Sequence, residues 1–168
     1  SNSFKILYLS DLQREVLKYV SNNLRAGTVK IYKSTLILML RLLKNKPIKL
    51  ITSNEIENYK SIRLNEVSQS TVNIELSTMK AIFNIAIRLN FLEINPCKYI
   101  KKIAIPQKDR LSFNDIELKV LLNNIIDPSL KNIVLTGLYT GCRLNEIINI
   151  QWKDIDLNEK VLTIRNKE

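Results

Sequence analysis

From Val29 to Leu43 apolar side chains recur every three or four residues, at Val29, Tyr32, Leu36, Met39, Leu40 and Leu43, with no glycine or proline between them. A strand alternates with a period of two, so this spacing commits the segment to a helix with one buried face. Three further stretches carry the same signature. Leu12, Val16, Tyr19 and Val20 follow Ser10, which can cap a helix over roughly 10–23 while Asp11 faces its dipole. Ile56, Tyr59 and Ile62 follow Thr52-Ser53-Asn54-Glu55, where Thr and Glu have the spacing of a capping box, and that helix fades near Asn65. Val72, Leu76, Met79, Phe83 and Ala86 line a longer helix that starts at Ser68 or Ser70 and reaches about Asn90. Gly27 breaks the pattern ahead of the second helix, where Thr28 can cap, and Lys46-Pro47 ends it, because the residue before proline is pushed out of the α region. Short connections between four such helices predict a compact bundle of roughly a hundred residues.

Charge is distributed unevenly. The net charge is +10, and residues 1–108 hold 18 Lys and Arg against 7 Asp and Glu, whereas residues 109–168 hold 8 against 9. The surplus therefore belongs to the helical part, as expected for a module that grips a phosphate backbone. Lys30, Lys33 and Arg41 lie on the polar face of the second helix, and Asn73, Ser77, Lys80 and Arg88 on that of the fourth. Laid against duplex DNA, the cations would take phosphates while Asn and Ser reached base edges. With Thr28 and with Lys101 and Lys102 further on, these are the candidate DNA contacts. Such faces are also compatible with plain solvation, and the residues alone equally fit a helical DNA-binding regulator with no enzymatic ancestry.

Other chemistries are excluded by composition. There is no histidine, and Cys97 and Cys142 are far apart, which removes zinc sites and His-based triads; no metal and no cofactor is expected. No apolar run approaches membrane-spanning length, so the expected setting is cytoplasmic, with the nucleoid. Residues 93–110, with Pro96, Pro106 and Lys98, Lys101, Lys102 and Lys108, read as a basic extended linker after a first domain over 1–92.

The second domain, 111–168, opens with Ser112-Phe113-Asn114-Asp115 as a cap, then Ile116, Val120, Leu121 and Ile125 at helical spacing. Asp127-Pro128 restarts a helix that runs into Thr136-Gly137-Leu138-Tyr139-Thr140-Gly141, with Tyr139 expected in the core. Thr140-Gly141 can break it, and Arg143 opens a helix whose apolar positions extend to Ile150. Arg143 offers a permanently charged planar fork that matches two phosphate oxygens, and Glu146, one turn on, can brace it. By spacing alone the pair reads first as an ordinary solvated ion pair, since such pairs are common. Trp152, Ile155 and Leu157, a turn at Asn158-Glu159, and Val161, Leu162 and Ile164 suggest two short antiparallel strands. The fold class is mainly α: a four-helix domain followed by a smaller α+β part of helices and a β-hairpin.

On these residues the chain resembles the N-terminal part of a tyrosine recombinase of the phage integrase family. The likeness is carried by Gly27-Thr28-Val29 with Tyr32, by Asn90-Phe91-Leu92 with Asn95-Pro96, and above all by Thr140-Gly141-Cys142-Arg143-Leu144-Asn145-Glu146 followed by Trp152-Lys153-Asp154-Ile155-Asp156. It implies a core-binding (SAM-like) domain, the opening of a catalytic domain, double-stranded DNA as partner and self-association on DNA in the full enzyme. It also implies attack of a tyrosine on a DNA phosphate through a 3′-phosphotyrosyl intermediate, without metal. Arg143 matches the family's first catalytic arginine, Glu146 its supporting acid, and Lys167 the hairpin lysine that protonates the leaving hydroxyl. The family's His-x-x-Arg motif and its late tyrosine nucleophile have no match here, and the six tyrosines fall elsewhere. The chain by itself is therefore expected to bind DNA without cleaving it.

Overall fold

The computed structural model describes residues 7–106 and 112–164. The chain divides into two compact units, Ser1–Gln107 and Lys108–Glu168. The first is a bundle of α1 (Leu9–Asn23), α2 (Ala26–Leu43), α3 (Ser53–Glu66) and α4 (Gln69–Arg88), with a 3-10 turn at Ile48–Leu50. Its core is the predicted one at most positions: Leu12, Val16, Val20, Leu36, Met39, Ile56, Tyr59, Val72, Met79 and Phe83 are all buried. Burial of these faces, more than local propensity, is what holds helices of this length.

The helix starts differ in instructive ways. Thr52 caps α3 as expected: its N–H donates to Glu55 Oε2 at 3.0 Å and its Oγ1 accepts from the Glu55 N–H at 3.3 Å. Ser68, the first of the two predicted serines, caps α4 by accepting from the Thr71 N–H. Ser10 does not cap α1. Tyr8 holds that position and donates its N–H to Asp11 Oδ2 at 3.1 Å, while Ser10 donates its own N–H to Asn45. The start of α1 is fixed there from outside, by Leu9 N–H donating to Lys46 O and Ile48 N–H to Leu7 O. Thr28 does not cap α2 either, because the helix begins at Ala26 and passes through Gly27. A glycine costs only about 1 kcal/mol against alanine, which the packing of the rest of α2 overrides. At its other end α4 closes in a Schellman arrangement: Asn90 takes φ 59°, Asn90 N–H donates to Ile87 O, and Phe91 N–H donates to Ala86 O.

On α3 the expected inward residue Ile62 is 44% exposed, and Arg63, 7% exposed, takes the inward place. Its guanidinium meets Glu75 of α4 with two bonds, Nε to Oε2 at 2.9 Å and Nη2 to Oε1 at 2.6 Å. The Tyr59 hydroxyl adds a third bond to Glu75, at 2.8 Å. Burial and this bond hold the tyrosine hydroxyl well above its ordinary pKa, and the Glu75 bond raises that of Arg63. Glu66 extends the network, pairing with Arg63 and with Arg41 of α2.

The stretch expected as an extended linker, 93–110, is laid on the bundle as far as Ile103. Asn95 and Cys97 are buried, and Ile100 and Ile103 pack against the core.

The second unit contains α5 (Asp115–Asn124), α6 (Pro128–Thr140), the short α7 (Leu144–Ile147), a 3-10 turn at Trp152–Asp154, and strands β1 (Ile155–Asp156) and β2 (Val161–Leu162). The strands are antiparallel, with Ile155 opposite Leu162. Asn114, within the expected 112–115 stretch, caps α5, and α6 restarts at Asp127-Pro128 as expected, with Asp127 as its cap and Pro128 at its first position. Three expectations fail. Arg143 opens only one turn of helix, Trp152 lies in the 3-10 turn, and Tyr139 is 82% exposed instead of in a core. Ile116 and Val120 are likewise exposed, and Asp154 is the one buried side chain among this unit's described residues.

Two measurements probe the first unit. Glu75→Ala strands a buried guanidinium and should cost about 3–5 kcal/mol in urea unfolding, and the paired change Arg63→Met with Glu75→Leu should cost much less. The Glu66 carboxyl is held low by its bonds to Arg41 and then Arg63, and that of Glu55 by Lys46 and then Thr52. Carboxyls lowered in the folded state stabilise it above their unfolded value of about 4.3, and this is lost as pH falls through the folded values. The melting temperature should therefore drop on acidification below that range, less steeply in Glu66→Gln.

Candidate nucleic-acid interface

Thr28, Ile31 and Tyr32 of α2 face Ser70, Asn73, Ile74, Ser77 and Thr78 of α4 across an open groove, and Lys102 joins its lining. Hydroxyls and an amide alternate there with two exposed isoleucines, Ile31 and Ile74. Ser77 and Lys102 also line the adjoining cleft, together with Lys80, Leu76, Cys97 and Ile100. The fold thus gathers Thr28, Asn73, Ser77, Lys80 and Lys102, residues spread over three segments. Lys101 is exposed beside them.

Other candidates are placed elsewhere. Lys30 and Lys33 are exposed on α2 but do not line the groove, and Arg88 lies in the last turn of α4. Arg41, expected on a phosphate, donates to Glu66 at 2.5 Å. Asn73, expected to reach base edges, has both amide atoms on one strap residue: Oδ1 accepts from Ile103 N–H at 2.8 Å, and Nδ2 donates to Ile103 O at 2.9 Å.

Residues 95–103 form a strap gripped mostly by its main chain. Ser53 donates to Pro96 O, Lys60 to Lys101 O at 3.1 Å, and Lys80 to Lys98 O. Asn95 donates to Lys80 O and to Asn84, and its Oδ1 accepts from the Cys97 N–H. The side chains of Lys98, Lys101 and Lys102 remain exposed, with the Lys98 ammonium 5.1 Å from the Tyr99 ring centroid. Burial pushes the Cys97 thiol up to about 12, which makes it an inert core group. Sequence reasoning missed Lys60 and Ser53 as anchors. Only the Asn95-Pro96 pair signalled that the segment was more than a tether.

In the second unit two glycines place Arg143. A Cβ on Gly137 would stand 3.2 Å from Ile147 Cδ1, so the glycine lets α7 pack against α6. Gly141, at φ 68°, ends α6 in the left-handed region and turns the chain into Cys142-Arg143. Arg143 N–H donates to Glu146 Oε2 at 2.7 Å, and its Nη1 donates to Oε1 at 3.1 Å. The backbone bond first, and the guanidinium second, hold the Glu146 carboxyl below the ordinary range. The Arg143 side chain is 87% exposed, so the rest of its fork is presented to solvent. Lys167 lies outside the described residues. Among the described residues, no three His, Cys, Asp or Glu side chains converge as metal ligands, and no helix is long and apolar enough to cross a membrane.

Residues 8–104 match the family model of the phage integrase N-terminal domain. The chain is similar to the ICEBs1 integrase of Bacillus subtilis, 30% identical over 109 residues that make up 63% of this chain and 30% of that protein. It is 26% identical over 171 residues to the tyrosine recombinase XerC of Staphylococcus aureus, covering 95% and 56%. The chain thus spans about a third to a little over half of these relatives. Its fold is similar to that of one chain in a lambda integrase dimer bound to a COC' core site, with TM-score 0.78 at 21% identity over 90% of this chain and 56% of that one. A Tn1549 transposon integrase in complex with transposon right end DNA gives TM-score 0.78 at 17% identity, covering 93% and 51%.

The two bonds to Glu146 are separable by titration. Its side-chain carboxyl, followed by NMR, should titrate below about 4.3. Arg143→Ala should return only part of the shift, because the backbone N–H of residue 143 survives the substitution.

Proposed function

The chain belongs to the phage integrase family of tyrosine recombinases, and from that premise we propose that it is the duplex-binding N-terminal part of a site-specific DNA recombinase. The first unit supplies the grip. What supports this most is the meeting of Lys80 and Lys102 with Ser77 at the hydroxyl-lined groove between α2 and α4 and the cleft beside it, in the part of the chain that holds the whole positive surplus. Lysines in such an array neutralise phosphates and release counterions, and hydroxyls and apolar tips in a groove can meet base edges and thymine methyls. Thr28 and Ser77 are the base-side candidates on this reading. Lys30, Lys33 and Arg88 serve as outlying phosphate contacts, and Arg41 does so only by leaving Glu66.

Arg143 is proposed as the phosphate clamp of the recombination step. Its exposed fork can take two phosphoryl oxygens and stabilise the charge that builds up as a tyrosine attacks, while Glu146 holds its stem. Lys167 is the proposed acid for the leaving hydroxyl. In the full-length enzyme, copies of the protein associate on DNA, and the expected setting is the nucleoid.

Duplex affinity should fall steeply with salt, and Lys101→Ala with Lys102→Ala should weaken binding and flatten the log–log salt slope by about 0.9 for each phosphate no longer neutralised. Arg143→Ala should leave duplex affinity nearly unchanged, which separates grip from chemistry. Negligible affinity for any duplex at low salt would sink this reading.

A further inference from the structure

Asn73 sits on the outer face of α4, where its residue type suggests a base contact, yet both amide groups are already engaged. Its side chain pairs with the main chain of Ile103 on both sides, at 2.8 and 2.9 Å. This is the bonding a neighbouring strand would offer, and it fixes together the two peptide groups that flank the Ile103 Cα. One residue before it stands Lys102, which lines the groove, and two before it stands Lys101, whose carbonyl is held by Lys60. Earlier anchors at Asn95 and Cys97 leave the peptides of 101–103 to be fixed mainly by these two grips and the packing of Ile103.

We propose that Asn73 is a positioning residue for DNA: it makes no contact with the duplex, and it locks the strap so that the Lys101 and Lys102 ammonium groups stand ready for phosphates. The benefit is preorganisation. A free strap must lose backbone freedom when its lysines bind, whereas a clamped one has already lost it on folding. The inference rests on the duplex-binding reading and adds to it a residue whose effect passes through two others.

The test is a double-mutant cycle on the whole chain, read by fluorescence anisotropy with a labelled random-sequence duplex at low salt. Asn73→Ala should weaken binding about five- to tenfold in the parent chain. In the Lys101→Ala, Lys102→Ala background it should change affinity less than about twofold, since the groups it positions are gone. Amide exchange at Ile103 should quicken in Asn73→Ala, with the exchange of the α4 core unchanged. Equal losses in both backgrounds would mean that Asn73 touches DNA directly or only supports the fold, and would overturn the inference while leaving duplex binding intact. If the double lysine change itself leaves affinity untouched while other lysine variants weaken it, the strap has no part in the grip and the inference falls. If no variant and no salt change moves binding, the duplex-binding reading falls with it.

Discussion

The bidentate bond between Arg63 and Glu75, capped by the Tyr59 hydroxyl, sets the geometry of the first unit. Two charges inside an apolar bundle are tolerated only when donors and acceptors are matched, so the pair permits one register of α3 against α4 and penalises its neighbours. Lys60 lies one residue from Tyr59, and Asn73 two residues from Glu75. The register that satisfies the buried pair therefore also brings both anchors to the strap, at Lys101 and Ile103. A buried ion pair of this kind adds little net stability over an apolar substitute. Its contribution here is alignment, which decides where the exposed lysines of the strap stand.

The second unit solves a similar problem without a core. Arg143 is positioned by chain chemistry within a few residues: a left-handed glycine, a close approach at Gly137, and a carboxylate that takes both the N–H and the guanidinium of the same arginine. None of this requires burial, and almost none is present. Local constraints of this sort keep a side chain at a definite place on the backbone while leaving its head in water. That is compatible with the phosphate-clamp role proposed for Arg143.

The two units thus differ in the kind of contact their side chains could offer. Lysines on a clamped strap offer mobile, strongly hydrated charges suited to backbone phosphates in any sequence. The groove beside them carries hydroxyls and isoleucines with one cation, a composition suited to reading edges more than to adding charge. Arg143 carries a planar fork, the shape proposed to take a single phosphoryl group.

Residues three or four apart could be settled from the order of amino acids by itself. The four helices, the Thr52 cap, the helix break at Thr140-Gly141 and the Arg143–Glu146 pairing were all legible there, because each rests on residues within about one helix turn of one another. Ser10 and Thr28 were misplaced as caps, since Asp11 already served the start of α1 and the packing of α2 carried the helix past Gly27. Tertiary structure alone decided that Arg63 and not Ile62 turns inward, that Arg41 answers to Glu66, and that Asn73 holds Ile103. These partners lie 12, 25 and 30 residues apart, and no periodicity encodes such meetings. They arise only where helices pack against one another, which is also why an outward-facing asparagine can look like a base reader and be an anchor.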